Sequence, residues 1–484
     1  NIHIRRMKNT KLFMFAACTL FLAACGKQTV KIMTPPDASN RVLFSAEQLQ
    51  TTLDKAGYQV MMQQGDTTFS DPEIKTILLT EVNDTTLKKE GFHITTTGNL
   101  TRVSGRDGSG VIYGCRELID RVNDSEGKLN FPEELKDGPE MVLRGACVGL
   151  QKMTYLPGHG VYEYPYTPES FPWFYDKEQW IKYLDMLVAN RMNSLYLWNG
   201  HPFASLVKLE DYPFALEVDE ETFKKNEEMF SFLTEEADKR GIFVIQMFYN
   251  IILSKPFAEH YGLKTQDRNR PITPLIADYT RKSIAAFIEK YPNVGLLVCL
   301  GEAMCTVEDD VEWFTKTIIP GVKDGLQALG RTDEPPLLLR AHDTDCKLVM
   351  DAALPIYKNL YTMHKYNGES LTTYEPRGPW SKIHTDLSSL GSIHISNVHI
   401  LANLEPFRWG SPDFVQKAVQ AMHNVHGANA LHLYPQASYW DWPYTADKLP
   451  NGEREFQLDR DWIWYQTWGR YAWNSHRDLS LIHI

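Results

Sequence analysis

Between residues 141 and 434 eight short apolar stretches recur, at 142–148, 193–198, 242–248, 295–300, 337–341, 360–364, 398–403 and 430–434. They are mostly continuous apolar runs rather than alternations, the signature of strands covered on both faces. Segments with apolar residues at helical spacing separate them, for example 177–189, 221–240, 279–290, 311–329 and 412–426. Strands alternating with helices give parallel sheets, and eight such units predict an α/β chain built on a (β/α)8 TIM barrel over 141–458. A doubly wound open sheet is the competing solution. It uses fewer units and carries a glycine fingerprint after its first strand, and this sequence has neither.

The chain before the barrel has a different texture. Residues 1–26 form a targeting segment, with Lys8 and Lys11, an apolar stretch at 12–22 and small residues before Cys25. Leu22-Ala23-Ala24-Cys25 resembles a bacterial lipobox, which implies lipidation of Cys25 and an exported lipoprotein of the cell envelope, at the periplasmic face or cell surface. Met7 is the expected start. The apolar stretch is too short to span a bilayer. Residues 27–40, polar with Pro35-Pro36, read as a tether, and 41–140 as a small α+β domain with strands near 76–79, 92–96 and 100–104. In GRDGSGVIYGCRELIDRV, starting at Gly105, the glycines mark a turn and Val111, Ile112, Cys115, Leu118 and Ile119 share one helical face. The Gly-Lys-Ser/Thr ending of a phosphate loop is missing. At the other end, 479–484 read as extraneous sequence.

A net charge of −11 with no long basic run argues against nucleic acid and against anionic membrane, so membrane contact is expected only through the lipid anchor. Past Cys25 the cysteines are Cys115, Cys147, Cys299, Cys305 and Cys346, in no metal-finger spacing and odd in number, which predicts buried free thiols. Neither a metal constellation nor a cofactor motif stands out. Asp309, Asp310, Asp343 and Asp345 read as helix-start charges rather than ligands. Aromatic residues make up 12% of the chain, enough for stacking platforms in a sugar cleft or for a large aromatic core.

In a barrel, chemistry gathers at the C-terminal ends of the strands. Those positions hold Trp198-Asn199, Asn250, Glu302 after Gly301, Arg340 with His342-Asp343, His364-Lys365, Glu405, and Trp440 and Trp442. Singly, each has a structural reading: a glutamate at a helix start, a histidine satisfied in the core, an indole in packing. Together they supply two carboxylates beside cations and aromatics. Glycosidic cleavage needs one carboxylate protonated to donate to the leaving oxygen and one ionised to activate water or attack carbon. Glu302 is the candidate acid and Glu405 the candidate base, with Glu369 or Asp343 assisting. Arg340 and Lys365 either depress a carboxylate pKa or grip a carboxylate on the substrate. His364, His342, Asn199, Asn250, Trp198, Trp440 and Trp442 are candidate substrate contacts, and an oligosaccharide or polysaccharide is the expected partner.

These segments resemble those of the family-67 α-glucuronidases. GRDGSGVIYGCRELI is similar to the end of that family's N-terminal domain, which bacterial β-hexosaminidases share. GLLVCLGEA resembles the strand bearing its catalytic acid, at Glu302. LLLRAHD and KYNG resemble segments that bind the uronate carboxylate, at Arg340 and Lys365. NVHILANLEPFRWG resembles a segment with a water-activating carboxylate, at Glu405, and WGRYAWN, at 468–474, resembles the start of the family's C-terminal helical domain, which implies that 459–478 open such a domain, here truncated. The resemblance implies release of a terminal uronic acid, such as α-linked glucuronate, from plant or other polysaccharide side chains. The family's second water-activating aspartate is absent, and Glu369 in NGESLTTYEP is the nearest acid. A β-N-acetylhexosaminidase-like enzyme and a non-catalytic glycan-binding lipoprotein are the alternatives.

Overall fold

The computed structural model describes residues 27–69, 71–150, 165–249, 252–301, 304, 306–368, 371–399, 411–434 and 442–478. The chain divides into two compact units: the chain up to Leu87 with Phe92–Asp137, and Lys88–Gly91 with everything from Gly138.

The first unit is a six-stranded mixed sheet. Its strands are β1 (Thr29–Thr34), β2 (Gln59–Gln64), β3 (Lys75–Glu81), β4 (Phe92–Thr97), β5 (Leu100–Gly105) and β6 (Glu134–Asp137), in the order β2-β1-β3-β5-β4-β6. Helices Asn40–Lys55 and Gly108–Asp124 complete the α+β unit. The glycine-rich turn is a helix start: Asp107 caps it, its carboxylate accepting from the Gly110 N–H at 2.9 Å. The expected tether needs correcting. Val30, Ile32 and Met33 bury their side chains, so TVKIMT is an inner strand of the sheet and Pro35-Pro36 follows it.

The second unit is a closed barrel of eight parallel strands: β7 (Leu143–Gly149), β8 (Ser194–Trp198), β9 (Phe243–Tyr249), β10 (Val294–Cys299), β11 (Leu337–Arg340), β12 (Leu360–Lys365), β13 (Ile393–His399) and β14 (Ala430–Tyr434). β14 returns to β7 with Ala430 beside Leu143, which closes the ring. The strands are buried on both faces, as their apolar runs predict. Helices start at side-chain caps. Asp176, Asp219, Thr273, Thr306, Asp345 and Ser411 each accept from the N–H three residues on, so Asp345 is the helix-start charge it was expected to be.

Two expectations about the barrel change. Strand seven runs Ile393–His399, not 398–403: its isoleucines alternate with polar residues, which hid it behind the more continuous VHILA run. Glu405 therefore stands six residues past the end of that strand rather than at it. Residues 459–478 do not open a separate domain. Helix Trp462–Trp473 belongs to the barrel unit, follows β14 and is the barrel's eighth helix. Its Trp468, Tyr471 and Trp473 are buried, and at Gly469 a Cβ would lie 2.3 Å from the Asn190 carbonyl, so only glycine permits that approach. Under this helix Arg144 is fully buried. Its guanidinium donates to the carbonyls of Arg191 at 2.7 Å and Met141 at 2.6 Å and to the Glu90 carboxylate at 2.8 Å.

Candidate active site

Strand side chains alternate between barrel interior and helix layer. The interior core contains Trp198 of β8, Tyr249 of β9, Cys299 of β10, Leu338 of β11, Tyr361 and Met363 of β12, Ile395 of β13 and Tyr434 of β14. Two residues further along the same faces stand Arg340 and Lys365, both at the C-terminal mouth. Adjacent strands thus deliver two cations to one opening.

Arg340 is held there by its neighbours. Its guanidinium lies 5.3 Å from the centre of the Trp198 ring, donates to the Tyr249 hydroxyl at 3.3 Å and lies 3.8 Å from Cys299 Sγ. Trp198 packs edge-on against Tyr249 and Tyr434, with centroids 6.1 and 5.3 Å apart. Below this layer His432 stacks on Tyr196 at 3.8 Å. Burial keeps its imidazole neutral, well below its ordinary range, and His399 and Arg340 push the same way. The mouth is cationic and walled by aromatic rings, a combination that suits an anionic sugar: guanidinium and ammonium for a carboxylate, ring faces for the pyranose.

The loop after β10 leans directly on the loop after β11. A Cβ on Gly301 would lie 1.9 Å from the Asp343 carbonyl oxygen and 2.8 Å from that of His342. The Gly301 N–H donates to Thr344 Oγ1 at 3.0 Å, and that hydroxyl donates to the His342 carbonyl at 3.0 Å. Glycine before Glu302 is therefore a packing requirement: it brings two strand-end loops together where the candidate acid follows in sequence.

The remaining candidates separate. His364 is next to Lys365 and must face the other way. It lies in the helix layer, its Nδ1 2.9 Å from the Lys365 carbonyl and its ring against Trp380 and His384, so it is not grouped with Arg340. Asn199 is buried and shapes backbone: its amide donates to the Leu150 carbonyl at 3.2 Å and its oxygen accepts from the His201 N–H at 3.0 Å. His342 and Asp343 are solvent-facing, 3.6 Å apart. Trp442 is 2% exposed and stacks on Trp180 at 5.3 Å, with Trp173 and Tyr183 edge-on; it is a packing residue of that cluster, not an open wall. Glu302, Glu369, Glu405, Asn250, Trp440 and Cys25 lie outside the described residues. Cys115, Cys147, Cys299 and Cys346 are buried thiols outside any disulfide, and burial pushes the Cys346 thiol up to about 12. Among the described residues, no group of three or more potential metal ligands comes together.

Trp380 and Tyr249 were given no role from sequence. Tyr249 was read at the end of the third strand, and it is the last residue of β9; its contact with Arg340 is what position could not supply. Trp380 sits at the start of helix Pro379–Ser388, 42% exposed, 5.6 Å from the His364 ring and beside Gly368, where φ is +85°. An exposed indole there offers a stacking face at the rim.

No protein-family model and no curated protein matches this chain. Among solved structures, a chitobiase from Flavobacterium johnsoniae has a TM-score of 0.56 at 12% identity, covering 92% of this chain and 66% of that one. The N-acetyl-β-hexosaminidase of Streptomyces plicatus has the same score and identity, covering 93% and 88%. Both show a shared fold. The expected family-67 α-glucuronidase kinship is overturned by a far stronger likeness, to a GH138 enzyme targeting pectin rhamnogalacturonan II, at 74% identity and a TM-score of 0.87. This chain is thus similar over 94% of its length to a GH138 enzyme, and it spans 65% of that enzyme.

Proposed function

We propose that this chain carries the catalytic barrel of a GH138-type glycoside hydrolase that removes a terminal uronic acid from a pectic side chain of rhamnogalacturonan II. The observation that carries the reading is the pairing of Arg340 and Lys365 at one barrel mouth, framed by Trp198 and Tyr249, in a chain 74% identical to an enzyme that targets that polysaccharide. The cations receive the sugar carboxylate and the aromatic rings its pyranose face. Glu302, three residues past β10, donates a proton to the leaving oxygen. Glu369, four residues past β12, is closer to a strand end than Glu405, six past β13, and takes the role of the ionised partner. Tethering at the envelope through lipidated Cys25 would keep the enzyme beside an imported polymer.

The test is release of free uronic acid from rhamnogalacturonan II oligosaccharides by the full-length enzyme, followed by mass spectrometry, with Glu302→Gln, Glu369→Gln and Glu405→Gln in parallel. Losses of at least about 10³-fold are expected for Glu302→Gln and Glu369→Gln and a smaller one for Glu405→Gln, on the scale set by removing a group that acts as a unit with its partner. Full activity in Glu302→Gln would end the assignment. For the anchor, Cys25→Ala is expected to move the protein from the membrane to the soluble fraction.

A further inference from the structure

Behind β12, in the layer between barrel and helices, two buried imidazoles touch. His384, on helix Pro379–Ser388, places Nδ1 2.8 Å from Nε2 of His394 on β13. Nε2 of His384 lies 2.8 Å from the Tyr366 carbonyl, and Nδ1 of His394 lies 2.9 Å from the Thr362 hydroxyl. These contacts fix the protons. A carbonyl only accepts, so His384 carries its proton on Nε2. Its bare Nδ1 then accepts from Nε2–H of His394, whose bare Nδ1 accepts from the Thr362 hydroxyl. The chain runs one way, from Thr362 through both rings to the Tyr366 carbonyl.

The carbonyl at its end opens the turn Tyr366–Gly368, which links Lys365 at the mouth to Glu369. The turn is pinned elsewhere too: the Tyr366 N–H donates to the Asn397 carbonyl at 2.8 Å and the Asn367 amide to the Thr373 carbonyl at 2.9 Å. The structure assigns to the His394–His384 pair a positioning role in the reaction: it holds the Tyr366 carbonyl, and with it the turn that begins one residue after Lys365 and ends one residue before Glu369 in sequence, the two residues to which the proposed function gives roles. This rests on the glycosidase reading.

The pair works as a neutral unit. A proton added to His384 would place N–H against N–H unless His394 and Thr362 reversed direction together. Burial holds His384 down to about 4 and His394 well below its ordinary range. The groups facing the pair, His364 from β12 and His426 from beyond helix Pro412–Gln420, push in the same direction. On the helix itself Lys382 and Asp386 pair with each other at the surface.

The experiment uses the full-length enzyme on rhamnogalacturonan II oligosaccharides. His384→Phe keeps an aromatic ring but removes the donor to Tyr366; His384→Gln keeps an N–H there. His384→Phe is expected to lower kcat by at least about 10-fold with KM within about 3-fold, as for a displaced catalytic group, while His384→Gln stays within about 3-fold of wild type. Equal activity of all three, or equal loss in both variants, overturns the inference. Histidine-selective 15N NMR of the wild type gives an independent reading. Both rings are expected as Nε2–H tautomers, neutral down to pH 5. Titration of either near 6.5, or the other tautomer, overturns the relay even if His384→Phe fails to fold. Wild type that releases no uronic acid refutes the glycosidase reading instead, and leaves the tautomer measurement to judge the relay.

Discussion

Gly301→Ala should disable this protein out of proportion to one added methyl group. The new Cβ would sit 1.9 Å from the Asp343 carbonyl oxygen and 2.2 Å from its carbonyl carbon. Both atoms are backbone, so no side chain can rotate away. Relief requires one loop to retreat by about 1 Å, and a shift of that size at a reacting group costs on the order of 10²-fold in rate. The same retreat lengthens the hydrogen bond from Gly301 to Thr344, now 3.0 Å, at a further cost of about 1 kcal/mol in stability. The assay pairs kcat for uronic acid release with thermal unfolding by circular dichroism. A kcat at least about 10²-fold down, with Tm only a few degrees lower, is expected from a local displacement. Wild-type kcat with unchanged Tm would show that the two loops do not meet as described and that glycine before Glu302 is incidental.

Arg144→Met, which leaves the buried Glu90 carboxylate with the Asn193 amide but without its cation, is expected to cost about 3–5 kcal/mol, read by denaturant unfolding, because a buried charge loses its counter-charge. Trp380→Ala is expected to raise KM by about 10-fold with Tm unchanged, as for loss of a stacking face worth on the order of 1 kcal/mol; an unchanged KM would exclude the indole from the subsite. Burial holds His201 and His384 down to about 4, against an ordinary 6.5, and holds His394 and His432 well below that ordinary value. The unfolded chain takes up protons on these rings that the folded one refuses. Their contribution is complete above pH 6.5 and drains away as pH falls toward 4, on the order of 3 kcal/mol for each of His201 and His384. Tm measured from pH 7.5 to 4 should fall steadily below 6.5, and a flat profile would contradict the buried neutral rings.

The barrel was legible because strands covered on both faces must be apolar throughout, and seven of the eight stretches announced themselves that way. β13 broke the pattern: His394 and Ser396 are buried on the face away from the barrel interior, His394 against His384, so its alternation looked like an exposed strand. The helices Cys346–Ala353 and Pro379–Ser388 are short, and Trp462–Trp473 has so many aromatic residues that its face toward the barrel could not be told from its other side. Arg340 and Lys365 were read as strand-end residues, and they stand at the last positions of β11 and β12. The misplacement of His364 followed from treating a strand end as a point; neighbouring residues on a strand face opposite ways, so His364 and Lys365 were never both available to one mouth. The family-67 resemblance rested on short segments such as GLLVCLGEA and LLLRAHD. Segments that short weigh less than 74% identity over 94% of the chain to a GH138 enzyme.

The seam between β7 and β14 joins Leu143 to Ala430, about 290 residues later, and loop closure over such a span is slow because its entropy is spent before any contact rewards it. Helix Trp462–Trp473 clasps that seam, its last turn taking the N–H groups of Glu140 and Met141 on the carbonyls of Trp473 and Ala472. During synthesis the first stave must therefore wait, half-covered, for the final indole-rich turn to leave the ribosome. A chain released short of residue 473 would have all eight staves but an uncovered, oily seam, a form that invites aggregation.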